Sequence, residues 1–130
     1  MTLLKQADFP PNAFVKDCPS RTVLSRIGTK WTLLVTIALK DEPLHFSDIR
    51  RRLEGISDKL LTQTLRVMER DGLLMRNQYG RRLRVEYALS PLARTLVPIA
   101  IVFKEWAENF LVDIEISNER FDRTSPRAQK

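Results

Sequence analysis

The chain has 130 residues, 43% of them hydrophobic, and carries 22 Lys and Arg against 16 Asp and Glu, a formal charge of +6. That length predicts a single domain with a core of its own, and that hydrophobic share excludes broad disorder. One cysteine excludes an internal disulfide and fits a reducing cytoplasm, while the cationic surplus favours a polyanionic partner.

Residues 1–17 read as an N-terminal arm. Met1-Thr2-Leu3-Leu4-Lys5 lacks the apolar core of a signal peptide, and no run in the chain reaches membrane-spanning length. Nucleic acid is therefore the expected polyanion, with no membrane partner. Phe9-Pro10-Pro11-Asn12 disfavours a continuous helix, because proline removes an amide donor and crowds the preceding turn. Leu3, Leu4 and Phe9 could pack the arm on a partner subunit. A loose terminus is the alternative.

Cys18-Pro19-Ser20 precedes a predicted helix over about Ser20 to Ile27, ended by Gly28. The next helix, about Lys30 to Leu39, is apolar almost all round through Trp31, Leu33, Leu34, Val35, Ile37, Ala38 and Leu39, which predicts burial, in part by another subunit. Cys18 has two readings. Before a helix N-terminus and near Arg21, its thiolate would be favoured and could sense oxidants or electrophiles. Otherwise it is a small residue packed at a helix start. The lone His45 supplies neither a nucleophile's base nor a second metal ligand, so neither an enzyme nor a metal or cofactor site is expected.

Asp41-Glu42-Pro43 breaks the second helix, and Leu44-His45-Phe46 reads as a minimal edge strand. Ser47 is predicted to cap a helix over about Asp48 to Leu53, with Ile49 and Leu53 inward and Arg50, Arg51 and Arg52 outward. Glu54-Gly55-Ile56 forms the turn. Ser57 is the expected N-cap of a longer helix, Asp58 suits its dipole, and Gly72 its C-terminal left-handed position. Leu60, Leu61, Thr64, Leu65 and Met68 share one face at helical spacing. Lys59, Thr62, Gln63, Arg66 and Arg70 share the other. Cations mixed with groups that donate and accept are what reading base edges in a major groove requires, although a plain solvated face has the same polarity. Short helix, glycine turn and polar-faced helix make a helix-turn-helix.

Two strands follow, Leu74 to Gln78 and Leu83 to Leu89, around Tyr79-Gly80-Arg81-Arg82. This hairpin carries Arg81, Arg82 and Arg84. A helix followed by a basic hairpin is a winged helix-turn-helix pattern, in which helix and wing meet neighbouring grooves of one duplex. Ser90-Pro91 opens the last helix. There Leu96, Ile99, Phe103, Trp106, Phe110 and Ile114 repeat at spacings of three and four, and Pro98 predicts a kink or a restart. So broad an aromatic stripe on so small a chain predicts a two-fold dimer. From Ser117 the sequence turns polar, and a frayed tail is expected.

Cys18-Pro19, Ile27-Gly28-Thr29-Lys30-Trp31, Ile56 to Leu65, Glu69-Arg70-Asp71-Gly72-Leu73 and Val85-Glu86-Tyr87-Ala88-Leu89-Ser90-Pro91-Leu92 together resemble the HxlR-type family of bacterial winged-helix regulators, relatives of the MarR group. The resemblance spans Cys18 to about Trp106. Three positions depart from the family pattern. Thr29 stands for a second glycine, His45-Phe46 for Arg-Phe, and Gly80-Arg81-Arg82-Leu83-Arg84 for a Pro-Pro-Arg wing. The resemblance also implies that a cysteine in the Cys-Pro setting can serve regulation.

The expected architecture is thus mainly α with a small β-hairpin wing: an arm to about residue 17, a winged helix-turn-helix core over about 18–89, a dimerisation helix over about 90–117 and a flexible tail over about 118–130. The expected function is a homodimeric transcription regulator on an inverted-repeat site in double-stranded DNA, answering to a small-molecule effector or an oxidant through Cys18 as candidate redox sensor. Ser57, Lys59, Thr62, Gln63 and Arg66 are the expected recognition residues, with Arg81, Arg82 and Arg84 on the wing. Ser47, Arg50 and Arg51 are expected on the backbone, and Trp31, Leu96, Ile99, Phe103, Trp106 and Phe110 at the dimer interface. A winged helix that docks proteins instead is the rival reading; it would lack cations on the recognition face.

Overall fold

The computed structural model describes residues 10–79 and 84–125. The chain runs α1 (Pro19–Ile27), α2 (Lys30–Ala38), β1 (Leu44–His45), α3 (Phe46–Arg52), α4 (Asp58–Arg70), β2 (Leu74–Tyr79), β3 (Arg84–Leu89), α5 (Pro91–Asn109) and α6 (Leu111–Thr124). It is mostly helical, with one small antiparallel sheet in the order β1-β3-β2. Leu74 pairs with Leu89 and Tyr79 with Arg84, so the hairpin closes in register, and β1 pairs Leu44 with Tyr87 on the other side of β3.

The core lies where α2, α3, α4, the sheet base and the start of α5 converge. Val35, Leu39, Ile49, Leu61, Leu65 and Met68 are its largest fully buried apolar side chains. Thr36 is fully buried beside them and has its hydroxyl satisfied, donating to the Thr32 carbonyl at 2.8 Å. Composition had pointed only to the apolar residues of α2. In the structure Trp31, Leu33, Leu34 and Ile37 are half-buried, while two threonines face the core.

The helix-turn-helix is set by local chemistry. Gly55, at φ 94°, makes the turn. Ser57 caps α4 by accepting from the Leu60 amide at 3.0 Å. At the other end Gly72 takes φ 81°, and the Leu73 amide reaches back to the Met68 carbonyl at 2.8 Å while the Gly72 amide reaches Glu69 at 3.1 Å. This paired closure satisfies carbonyls that the helix end would orphan. Ser90 then joins three parts: it caps α5 through the Ala93 amide, donates its hydroxyl to the Gly72 carbonyl at 2.6 Å, and gives its own amide to Leu73.

Several expectations are corrected. Ser47 is not the cap of α3: the extended cap residue is His45, and Ser47 is exposed in the first turn. Phe46 packs on the core and is drawn into the helix, while His45 stays in β1 with Nδ1 2.8 Å from the Val85 carbonyl. The edge strand therefore ends at His45. On α4, Leu60 is 38% exposed rather than inward, because the buried arc is set by Leu61, Leu65 and Met68 and Leu60 falls on its flank. No restart occurs at Pro98. α5 runs through it, held to the core on either side by the buried Ala93 and Ala100, and the interruption falls at Phe110. Nor does the last helix fray at Ser117; α6 continues to Thr124, with Glu119 and Arg123 one turn apart at 3.8 Å.

Candidate nucleic-acid interface

α4 presents the predicted face. Lys59, Thr62, Gln63, Arg66 and Arg70 are all exposed on it, and Ser57 opens it. None of the three cations has a carboxylate within ion-pair distance among the described residues. Their charges are free for an external anion.

The face continues onto the sheet. Thr62, Arg66 and Glu69 of α4, with Arg76 of β2 and Tyr87 of β3, line one polar cleft. Arg76 sits directly across the ladder from Tyr87 and leans toward Glu69, at 3.9 Å. Sequence reasoning missed Arg76. It is the third residue of a strand whose apolar start points to core, and only the pairing of β2 with β3 brings it beside α4. Arg84 is exposed on β3, while Arg81 and Arg82 lie outside the described residues.

The arginines of α3 are differently placed. Arg50 donates from Nη1 to Asp58 Oδ1 at 3.0 Å, tying α3 to the first turn of α4. Arg51 is paired with Asp48, one turn back on its own helix. Arg52 is exposed, with no carboxylate partner among the described residues.

Away from this face, Cys18 is the cap residue of α1 and 9% exposed, outside the central apolar cluster. Its sulfur accepts the Asn12 amide at 3.3 Å and lies 3.0 Å from the Ser20 hydroxyl. The Ser20 hydroxyl, then the Ser20 and Asn12 amides, and least the Arg21 charge hold the thiol below its ordinary pKa, against a smaller opposing effect of desolvation. Arg21 mainly fastens the preceding turn, donating to the Ala13 and Phe14 carbonyls at 3.0 and 3.1 Å. At the far end of α1, Arg26 and Asp71 form a two-pronged ion pair at 3.0 and 3.1 Å, joining α1 to the C-cap of α4.

The apolar stripe of the last helices is largely uncovered. Ile99, Val102, Phe103, Trp106 and Phe110 are exposed, and Trp106 and Phe110 lean on each other with ring centres 5.6 Å apart. Leu96 is half-buried, as is Trp31, which packs against the core beneath Lys30. Val23 and Leu24 of α1 and Leu92, Ile99 and Phe103 of α5 face one groove of about 570 Å³. α6 buries no residue.

Residues 26–115 match the family described as HxlR-like helix-turn-helix. The chain is 36% identical over 104 residues to the uncharacterized HTH-type transcriptional regulator YtfH of Escherichia coli (strain K12), covering 79% of this chain and 82% of that one. Among solved structures it is similar to the candidate transcriptional regulator ytfH from Salmonella typhimurium, with TM-score 0.77, 36% identity and coverage of 85% of this chain and 99% of that one. The redox regulator HypR in its reduced form superposes with TM-score 0.67 at 35% identity, covering 75% and 97%.

Proposed function

The chain belongs to the HxlR-like helix-turn-helix family of transcriptional regulators, and from that premise we propose that it acts as a homodimer on an inverted-repeat DNA operator. The observation that carries this reading is the exposed cationic face of α4, Lys59, Arg66 and Arg70, which Arg76 continues onto the sheet through the cleft it shares with Thr62 and Arg66. Its helical part fits a major groove, where Lys59, Thr62, Gln63 and Arg66 meet base edges and phosphates. Ser57, Ser47, Arg50 and Arg51 meet the flanking backbone, Arg50 and Arg51 through the donors that their carboxylate partners leave free. Arg81, Arg82 and Arg84 meet the minor groove or the backbone beside it. Arg76 joins the two at the seam, where a strand passes from helix to wing.

The uncovered aromatic stripe of α5, with the wholly exposed α6, supports dimerisation through Leu96, Ile99, Phe103, Trp106 and Phe110, with Trp31 at its edge. Two recognition helices then lie about 34 Å apart or a multiple of it. Cys18, with its thiolate favoured, is the proposed point of response to oxidants or electrophiles, and the similar protein HypR is named a redox regulator. A cytoplasmic location follows from DNA as partner.

Salt decides the central claim. Fluorescence anisotropy on DNA fragments enriched by the protein from its genome should give a slope of log affinity against log salt of roughly −5 to −9, for about five phosphates per half-site. A slope near zero on the best fragment removes the DNA-binding reading.

A further inference from the structure

We propose that Asp58 is a base-reading residue of the recognition helix, selecting an exocyclic amino group, foremost cytosine N4, in the major groove; the proposal rests on the DNA-binding reading above. Asp58 is the first residue of α4, and N-terminal residues of a recognition helix are those that meet base edges. Its side chain is exposed, beside Lys59 and Thr62 on the face already described. Two facts distinguish it from an ordinary helix-capping carboxylate. The amide near the helix start is capped by Ser57, so that role is filled. The Arg50 guanidinium holds Oδ1 at 3.0 Å from the neighbouring helix, which orients the carboxylate instead of leaving it to rotate.

An oriented carboxylate on a DNA-facing helix has one favourable kind of partner there, an amino donor. It repels phosphates, and it is repelled by the acceptor atoms of guanine and by thymine O4. Cytosine N4, and adenine N6 next to it in chemistry, are the major-groove donors, and carboxylates are matched to the first. Oδ1 is engaged by Arg50, and no protein hydrogen bond is formed by Oδ2 among the described residues, so Oδ2 can accept from a base. Arg50 is then a positioning residue: it fixes Asp58 and offsets the negative charge that a bare carboxylate would bring against the backbone. A carboxylate so placed weakens binding to every sequence that lacks the amine at that position, which is how it discriminates.

The test is selection of duplexes from a randomised library with wild type, Asp58→Ala, Asp58→Asn and Arg50→Ala, with thermal melting to verify folding. Wild type should enrich cytosine at one position of each half-site; adenine there would identify N6 as the group read. Replacing that C·G pair by T·A, which exchanges donor for acceptor, should weaken wild type by roughly fivefold or more. Asp58→Ala should lose the preference at that position and nowhere else. Asp58→Asn should shift it toward adenine, which asparagine pairs through N6 and N7. Arg50→Ala should blunt it at the same position. Profiles unchanged in the Asp58 variants, or an equal rise in affinity for all sequences, would overturn base reading and leave a charge effect alone. No enriched sequence with wild type would instead bring down the DNA-binding reading itself.

Discussion

Thr62 and Gln63 are exposed in the middle of α4 with no side-chain hydrogen bond among the described residues, and the proposed reading has them distinguish bases while arginines beside the sheet meet backbone. Gln63→Ala and Thr62→Ala should each reduce discrimination between operator and scrambled duplex by about 1–3 kcal/mol. Arg76→Ala should weaken both duplexes alike and make the salt slope shallower by roughly 0.9. Competition binding distinguishes the two patterns, and unchanged discrimination in both α4 variants would refute the assignment. Cys18 gives a pH signature. Its folded pKa is lowered, chiefly by the Ser20 hydroxyl. The thiolate therefore adds stability above the unfolded thiol's pKa, and that contribution is lost as pH falls through the lower folded value. Alkylation of Cys18 should have a rate midpoint at lower pH in the native chain than in urea, although the 9% exposure slows it at every pH. Ser20→Ala should move the native midpoint up. Equal midpoints in native and unfolded chain would return Cys18 to a packing role.

At the scale of elements, α4 is bounded by two glycines held at positive φ, Gly55 at 94° and Gly72 at 81°. A methyl group would have room at both among the described residues: beyond its own chain neighbours none lies within 4 Å at Gly55, and at Gly72 Leu92 Cδ2 is 3.9 Å away. The expected cost of Gly55→Ala or Gly72→Ala is therefore conformational, about 1–2 kcal/mol each, from an L-residue forced into the left-handed region. Chemical denaturation should show a lower midpoint with an unchanged slope, since no surface changes its burial. A midpoint equal to wild type would mean that the turn relaxes to another conformation. The Gly55 turn joins α3 to α4 and sets how they cross, so Gly55→Ala should also reduce operator affinity.

For the whole molecule, the exposed apolar surface of α5 shares no residue with the polar cleft between α4 and the sheet. Phe103, 54% exposed, lies where the groove between α1 and α5 meets the outer stripe of α5. Sedimentation should show a dimer at micromolar concentration, and Phe103→Asp should divide it or unfold it by placing an unpaired charge in a desolvated contact. Phe103→Leu should retain the dimer with weaker association, which separates loss of assembly from loss of fold. A monomeric wild type would overturn the interface. In the proposed dimeric mode, the divided variant should also lose most of its operator affinity while each chain keeps the exposed face of α4.

Local chemistry determined much of this protein. Ser57, Gly72 and Ser90 act on amides and carbonyls a few residues away, so the ends of α4 and the start of α5 were readable from adjacent residue types. The period of Leu61, Leu65 and Met68 marked the buried side of α4 and so its opposite, and with it most of the candidate interface. The rest depended on residues far apart in the chain. Arg76 joins the recognition face only because β2 folds beside α4 and β3, and Arg26 finds Asp71 only because α1 packs at the end of α4. Arg50 is turned toward Asp58 by the crossing of α3 and α4, which no run of arginines announces. Thr36 is in the core because its hydroxyl can bond one turn back, a satisfaction that polarity scales do not count. α5 continues through Pro98 because packing of Ala93 and Ala100 outweighs one missing amide bond. Thr36 apart, whose partner lies one turn back, tertiary structure decided these points because the stabilising contact belongs to a partner on another element.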